Sequence, residues 1–392
     1  MAAPQGPTSA DAAPLLAALE ARGAKVVLVA TGGGTQAISH LLATPGASGV
    51  VLECLVPYAR AAVDRWLGGP QESYCSSRAA RRLAVMAWQR ACLLGAEPAA
   101  AIGIAATASL RSRAAKRGPH RVIVAVQRLE GTTVATLPLR KEARSRAEEE
   151  AVAAALVLDR LAATVDARRA TAAPVGLPLL PEETVSFEHA DPPPGCRDLL
   201  AGTRTAVQVA ADPARPAAAT AAEKVVFPGS FDPLHEGHLR MAVIAAEIAE
   251  RPVDFELSIT NVDKPALDYV EMAARTAQFA GRSLWLTRAA TFLEKIDVFP
   301  RATFVMGADT YARLADPRYY GGSVEAADRA VRRIAAETGG LIVFGRERDG
   351  QFEDPSRLDV PAALREATYF VSPREFRLDI SSTSLRRREP PA

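Results

Sequence analysis

Two histidines three residues apart carry the chemistry most open to reading in this 392-residue chain. His235 and His238 lie in Phe227-Pro-Gly-Ser-Phe-Asp-Pro-Leu-His-Glu-Gly-His238, and the whole chain holds only five histidines. Imidazoles donate hydrogen bonds to phosphate oxygens and offset charge that builds up during phosphoryl chemistry. The apolar run Lys224-Val-Val-Phe227 predicts a strand before them, and the alanine-rich Leu239–Glu250 predicts a helix after them. A strand–glycine loop–helix junction aims backbone N–H groups and a helix N-terminus at one point, which suits an anion. Gly229 and Gly237 have no Cβ, so this reading lets a ligand approach the backbone there. An ordinary βα loop with two surface histidines is the plain alternative. The joint presence of strand, glycines, histidine pair and helix favours the functional reading.

The stretch resembles the GSFDPxHxGH signature of the nucleotidyltransferase superfamily that includes nicotinamide-mononucleotide and phosphopantetheine adenylyltransferases. Further on, Ile380-Ser-Ser-Thr383 with Arg386 resembles the superfamily's ISSTxxR motif. The resemblance implies that Ser381, Ser382 and Thr383 receive the ATP phosphates, with Arg386 adding a forked positive charge. It makes His235, His238 and Arg386 the catalytic set. It makes Gly229, Ser230, Phe231 and Gly237 part of the nucleotide site. Gly307 and Asp309 resemble its GxD element near the adenosine of ATP. Lys264 and Arg275 resemble the basic residues near the acceptor's phosphate, and Arg346 joins them as a substrate-side arginine. The implied reaction is in-line attack by an acceptor phosphate on the α-phosphate of ATP, with Mg²⁺ accompanying the nucleotide and no resident protein metal site. The acceptor this favours is nicotinamide or nicotinic acid mononucleotide, in NAD biosynthesis. A pantetheine-phosphate or cytidylyl transferase, or a pyridine-nucleotide sensor with little turnover, is the competing reading.

The elements around these residues fit a ligand site. Strands are predicted at Phe255–Ile259, Ser283–Leu286, Ala302–Met306, Leu341–Phe344 and Tyr369–Val371, alternating with helices. Alternation of this kind predicts a doubly wound parallel sheet. The quoted motifs all fall at carboxyl ends of strands, where such sheets bind ligands.

The first part of the chain reads as a second α/β domain. Lys25–Ala30, Val50–Val56, Ala101–Ala105, Arg121–Val126 and Thr132–Leu137 predict strands. Ala12–Arg22, Tyr58–Leu67, Ser77–Leu94 and Arg140–Ala163 predict helices. The glycines after the first strand, Pro45-Gly-Ala-Ser48, the Tyr58 segment ending in Leu67-Gly68, and Gly103-Ile-Ala105 resemble the C-terminal domain of the CinA family over Ala12–Val165. Members of that family include nicotinamide-mononucleotide deamidases, with Glu-Ser-Cys-Thr-Gly-Gly at the first loop. In this sequence the serine position holds Ala30 and the lysine position holds Val63. Losing hydroxyl and basic partner together leaves acyl transfer without a route. Thr31 is the one hydroxyl nearby, and threonine beside glycine is commonly a turn residue. This domain is therefore expected to bind, regulate or assemble, with the amides of Gly32–Gly34 as a nucleotide cradle.

The expected layout is a CinA C-terminal-like α/β domain at 1–170, a Pro/Ala-rich connector at 171–222, and a Rossmann-like nucleotidyltransferase domain at 223–392. Few contacts are expected to cross the connector. With 48% hydrophobic and 23% charged residues and a net charge of +2, the composition is globular and gives no case for a nucleic-acid partner. Four scattered cysteines without a CxxC pair suit a reducing, cytoplasmic setting. No apolar run is long enough to span a membrane, and Met1–Ala13 has no signal-peptide pattern. ATP and a phosphorylated small molecule are the expected partners, and a homo-oligomer is compatible with the sequence.

Overall fold

The structure is a computed structural model. It describes residues 9–114, 117–169, 174, 176–211, 224–262, 264–348 and 351–376. The chain forms two compact units. One comprises Met1–Pro192 together with Asp263–Glu271, and the other comprises Pro193–Val262 with Met272–Ala392.

The first unit begins with α1 (Ser9–Glu20), β1 (Lys25–Thr31), α2 (Gln36–Leu42), α3 (Ala47–Val50), β2 (Val51–Leu55) and α4 (Arg60–Leu67). It continues through α5 (Ser77–Leu93), β3 (Ala101–Ser109), β4 (His120–Arg128), β5 (Gly131–Leu139), α6 (Arg146–Ala162) and β6 (Ser186–Ala190). Its sheet runs β2-β1-β3-β4-β5-β6. β1 is parallel to β2 and β3, and the rest of the sheet is antiparallel. β1 carries apolar side chains without alternation because both faces are covered, and Val26 through Ala30 are fully buried. Gly103 is what lets α5 lie against β3. A Cβ there would stand 2.1 Å from the Ala84 carbonyl oxygen and 2.2 Å from the Trp88 amide nitrogen. Two caps fix the helix starts. Ser76 accepts from Ala79 N, and Ser145 forms a reciprocal capping box with Glu148.

The second unit opens with α7 (Cys196–Ala201) and β7 (Ala206–Ala210). Then follow β8 (Val225–Pro228), α8 (Glu236–Ala249), β9 (Val253–Ser258), α9 (Tyr269–Ala277) and β10 (Leu284–Thr287). Next come α10 (Phe292–Val298), β11 (Thr303–Gly307), α11 (Ala308–Arg313), α12 (Val324–Glu337) and β12 (Gly340–Phe344). A hairpin of β13 (Arg346–Arg348) and β14 (Gln351–Glu353), α13 (Ala362–Glu366) and β15 (Thr368–Val371) complete it. The sheet order is β15-β12-β11-β8-β9-β10-β7, parallel except for β7 at one edge. β8 is the first parallel strand, and the chain winds one way through β9 and β10 and the other way through β11, β12 and β15. The direction reverses between β8 and β11, so the crevice beyond their carboxyl ends is the topological switch point.

The doubly wound sheet expected from the sequence is present. The stretch 171–222, expected as an extended connector with a partly ordered middle and some strand pairing around Thr184–Phe187, supplies a strand to each sheet. β6 pairs with β5 in one sheet and β7 pairs antiparallel with β10 in the other. Each half of that stretch covers a sheet edge that would otherwise present unpaired backbone groups. One difference is that Asp263–Glu271, expected to belong with the nucleotidyltransferase domain, folds with the first unit.

Candidate active site at the switch point

β8 delivers the chain to Gly229, and the loop turns into α8 at His235. The Gly229 amide donates to the Glu256 carbonyl at 2.9 Å, which ties the start of the loop to β9. Phe231 takes a left-handed φ of 43° and is fully buried. Its ring meets Phe227, Phe255 and Phe279 edge-on, with centroids 5.6, 5.5 and 5.2 Å away. Such edge-to-face packing is a favoured aromatic geometry. Gly229 and Phe231 were expected at a nucleotide surface, and the structure uses them differently. A Cβ on Gly229 would stand 2.6 Å from the Phe231 ring, so this glycine makes room for the ring that locks the loop.

His238 stands on this aromatic floor, 5.1 Å from the Phe231 ring and 6.0 Å from that of Phe227, centroid to centroid. His235 stacks on it at 3.8 Å. The His235 backbone N–H donates to His238 Nδ1 at 3.3 Å. An accepting Nδ1 carries no proton, so the proton of the neutral ring is on Nε2 and available to donate outward. Burial pushes the His238 pKa down from 6.5 to about 3, and the neighbouring His235 pushes the same way. Burial also lowers the pKa of His235. At neutral pH the two therefore offer uncharged imidazole N–H groups, not cations. Among the described residues His235 Nδ1 is buried without a hydrogen-bond partner, and Gly237 is buried in the first turn of α8.

Two side chains, Gln278 and Arg275, fix the loop from below. Gln278 was not singled out in the sequence, yet its Oε1 accepts from Leu234 N at 2.7 Å and its Nε2 donates to Phe231 O at 3.3 Å. Arg275, read as a substrate contact, is nine-tenths buried, donates to Ser230 O at 2.8 Å and pairs with Asp232 at 3.4 Å. Gln278 follows α9 and its partners lie far away in sequence, so no local pattern marks it. Beneath β9 and β10, Glu256 is fully buried. It accepts two bonds from Lys295 Nζ, at 2.9 and 2.7 Å, and one from Thr287 Oγ1. A buried pair hydrogen-bonded on both carboxylate oxygens ties β9, β10 and α10 together.

Across the crevice, Gly307 ends β11 and starts α11, with open space where a Cβ would be. Asp309 is half-buried in the first turn of that helix. Ser230 is exposed on the histidine loop and Lys264 is exposed in the segment after β9. Arg346 opens β13. Ser381, Ser382, Thr383 and Arg386 lie outside the described residues. The structure thus brings the histidine loop and the Gly307 turn to the two strands that flank the switch point.

In the first unit, the loop after β1 is closed to anions. Glu150 of α6 accepts from Gly34 N at 2.9 Å, Thr35 Oγ1 at 2.8 Å and Gln36 N at 3.2 Å, so its carboxylate already takes the Gly34 amide, one of the three expected to cradle a nucleotide. The Gly32 and Gly33 positions press on Ala108 and Leu110 of the strand behind. Ala30 and Val63 are buried apolar residues. Thr31 donates its hydroxyl to the Pro57 carbonyl at 2.8 Å, an acceptor that cannot take the proton away. A cleft of about 790 Å³ nearby is lined by Tyr58 and the loops bearing Arg111 and Arg144–Arg146. Three of its lining arginines are engaged with the protein, Arg111 by donating to the Arg144 carbonyl at 3.0 Å. Arg144 is bidentate to Glu183, and Arg146 donates to Gly32 O.

A doubly wound sheet with a neutral histidine pair at its switch point defines a nucleotidyltransferase type of domain. Residues 226–388 match the cytidylyltransferase-like family, and residues 10–162 match the CinA C-terminal domain. The chain thus joins a segment similar to the CinA C-terminal domain to one similar to the cytidylyltransferase-like family. It is 28% identical over 188 residues to a probable nicotinate-nucleotide adenylyltransferase of Chlorobium phaeobacteroides (strain BS1), a match covering 42% of this chain and 85% of that protein. Among solved structures it is similar to a competence-damaged protein (CinA) superfamily protein from Escherichia coli, at 20% identity and a TM-score of 0.34. That match covers 39% of this chain and 88% of the other. It is also similar to a competence/damage inducible protein from Agrobacterium tumefaciens, at 21% identity and a TM-score of 0.35, covering 42% and 98%. Among the described residues no helix is long and apolar enough to cross a membrane.

Proposed function

We propose that the protein joins ATP to nicotinic acid or nicotinamide mononucleotide and releases pyrophosphate. The observation that supports this reading is the His235–His238 pair, two stacked imidazoles on an aromatic base in the loop that follows β8, beside the switch point. In the reaction an oxygen of the mononucleotide's phosphate forms a bond to the α-phosphorus of ATP. The bond from that phosphorus to the bridging oxygen breaks, and the pyrophosphate keeps the electron pair. No protein nucleophile takes part, so the chain's task is alignment and stabilisation of charge on the phosphate oxygens. A neutral donor suits that task because it binds the developing charge without itself being an acid that titrates near pH 7.

The relative from Chlorobium supports the mononucleotide as acceptor, and the shared family supports the transfer itself. Among the described residues no three His, Cys, Asp or Glu side chains converge to hold a metal. Mg²⁺ would accompany ATP and be held mainly by its phosphates, where it would neutralise charge. The ATP phosphates would also meet Ser381, Ser382, Thr383 and Arg386. The test is a panel of acceptors with ATP and Mg²⁺: nicotinic acid mononucleotide, nicotinamide mononucleotide, phosphopantetheine, and a CTP arm with phosphocholine. Dinucleotide and pyrophosphate in equal amounts from one of the mononucleotides is the expected result. Product only from phosphopantetheine or only in the CTP arm, or none at all, would sink the proposal.

A further inference from the structure

The segment Asp263–Glu271 leaves the nucleotidyltransferase sequence to fold with the first unit, and the first unit is built to receive it. Gln127 and Thr132 are fully buried polar residues on adjacent strands of its sheet. Thr132 Oγ1 donates to Gln127 Oε1 at 2.6 Å and accepts from the Tyr269 N–H at 3.1 Å. The Tyr269 hydroxyl donates to the Leu129 carbonyl at 2.9 Å, and Tyr269 is fully buried. Arg81 of α5 sets its Nε 3.1 and 3.2 Å from the two carboxylate oxygens of Asp268. Both side chains are buried, and Arg78 and Arg81 also reach Glu271 at 3.3 and 3.6 Å. Buried polar groups are retained where they have partners, and this one segment supplies partners to both Thr132 and Arg81, which also bond Gln127, Ser77 and Glu188 within the first unit.

The residue that Arg81 grips is also a helix cap. Asp268 precedes α9 and accepts from Glu271 N at 3.0 Å. The same segment carries Lys264 four residues before that cap. The later turn of α9 carries Arg275, and Gln278 follows it. These are the two side chains that hold the backbone of the histidine loop.

We propose that the CinA-like unit is a positioning scaffold for the transfer reaction: Arg81, Thr132 and Leu129 hold Asp268 and Tyr269, and so set the Lys264-bearing segment and the start of α9. Arg81 is then a positioning residue for the acceptor side of the reaction. The inference rests on the reading of the protein as a transferase that takes a phosphorylated acceptor.

The full-length protein tests it. The double variant Arg81→Met with Asp268→Asn removes the ion pair without leaving a buried charge alone, and asparagine keeps the cap. Thr132→Val removes the two hydrogen bonds of that hydroxyl and Tyr269→Phe removes one, each with little change of shape. Two readouts apply: hydrogen exchange of the peptide spanning 264–278, and separate KM values for acceptor and ATP. The expected result is exchange about tenfold faster in that peptide. With it, the acceptor KM should rise roughly tenfold while the ATP KM stays within about twofold. An active wild-type enzyme whose variants keep both exchange and acceptor KM overturns the scaffold role. If the double variant does not fold, Thr132→Val and Tyr269→Phe decide by the same criteria. A wild-type protein inert with every acceptor instead overturns the transferase reading, and the two failures are told apart by wild-type turnover alone.

Discussion

His238 does its work as a neutral ring, and that gives it a recognisable pH signature. Its pKa lies at about 3 in the folded chain against 6.5 for a free imidazole, because burial disfavours the cation and His235 adds to the effect. Between those values the unfolded chain binds a proton that the folded chain does not. Stability therefore falls as pH drops from about 6.5 toward 3, and the contribution is flat above that window. Urea midpoints measured at steps from pH 7.5 to 4.5 should show the decline. His238→Asn should show a shallower one, and an equal decline in both proteins would refute the neutral-ring assignment. The same residue should be indispensable to transfer. His238→Ala is expected to cut turnover roughly a hundredfold or more while the protein stays folded by circular dichroism. Wild-type turnover in that variant would remove the phosphate role. The histidine pair was legible in the sequence because residue type and spacing define its chemistry. Its charge state was not, because it depends on Phe227 and Phe231 closing around the ring, a packing that no spacing rule encodes.

At the scale of elements, the β8–α8 junction shows why a motif glycine can mean something other than ligand access. Gly229 faces the ring of Phe231, not open space. Gly229→Ala would push a methyl into that ring, and overpacking of this kind costs about 1–3 kcal/mol. The predicted outcome is a lowered melting temperature together with lost turnover. Phe231→Leu in the same chain should restore part of the stability without restoring the rate. Full activity in Gly229→Ala alone would show that the ring has room to move. Strands and helices of both sheets were readable because each carries its own pattern, apolar and unbroken for strands covered on both faces such as β1. The edge strands β6 and β7 were harder to place. They lie within a proline-interrupted stretch, are short and half-exposed, and owe their conformation to a neighbour's unpaired edge. Gln278 and Glu256 escaped notice for a related reason. Each acts through a backbone group or side chain far away in sequence, so nothing local marks them.

For the molecule as a whole, the placement of Asp263–Glu271 and of β7 bears on how the chain can be divided. A fragment starting at Ala222 would leave β10 without its edge partner and Tyr269 without the carbonyl and hydroxyl it bonds. Such a fragment is expected to unfold at a lower temperature than the same unit within the full chain, as scanning calorimetry would show; an unchanged transition would mean that these contacts add nothing. The first unit raises a different question, whether it retains chemistry of its own. A deamidation needs a nucleophile, a group to take its proton, and a place for the anionic substrate beside them. Ala30 offers no nucleophilic atom and Val63 no base, and both are buried. Thr31 is the hydroxyl beside Ala30, and it is already donated to the Pro57 carbonyl. The Gly34 amide is held by the carboxylate of Glu150, whose charge repels an incoming anion. These obstacles are independent, so relieving any one leaves the rest in place. The full chain should release no ammonia from nicotinamide mononucleotide above background, in the same samples that are assayed for pyrophosphate. Glu150→Gln, which removes the repelling charge, should not change that result. Ammonia release that vanishes in Thr31→Ala would overturn the conclusion and return a catalytic role to the loop after β1.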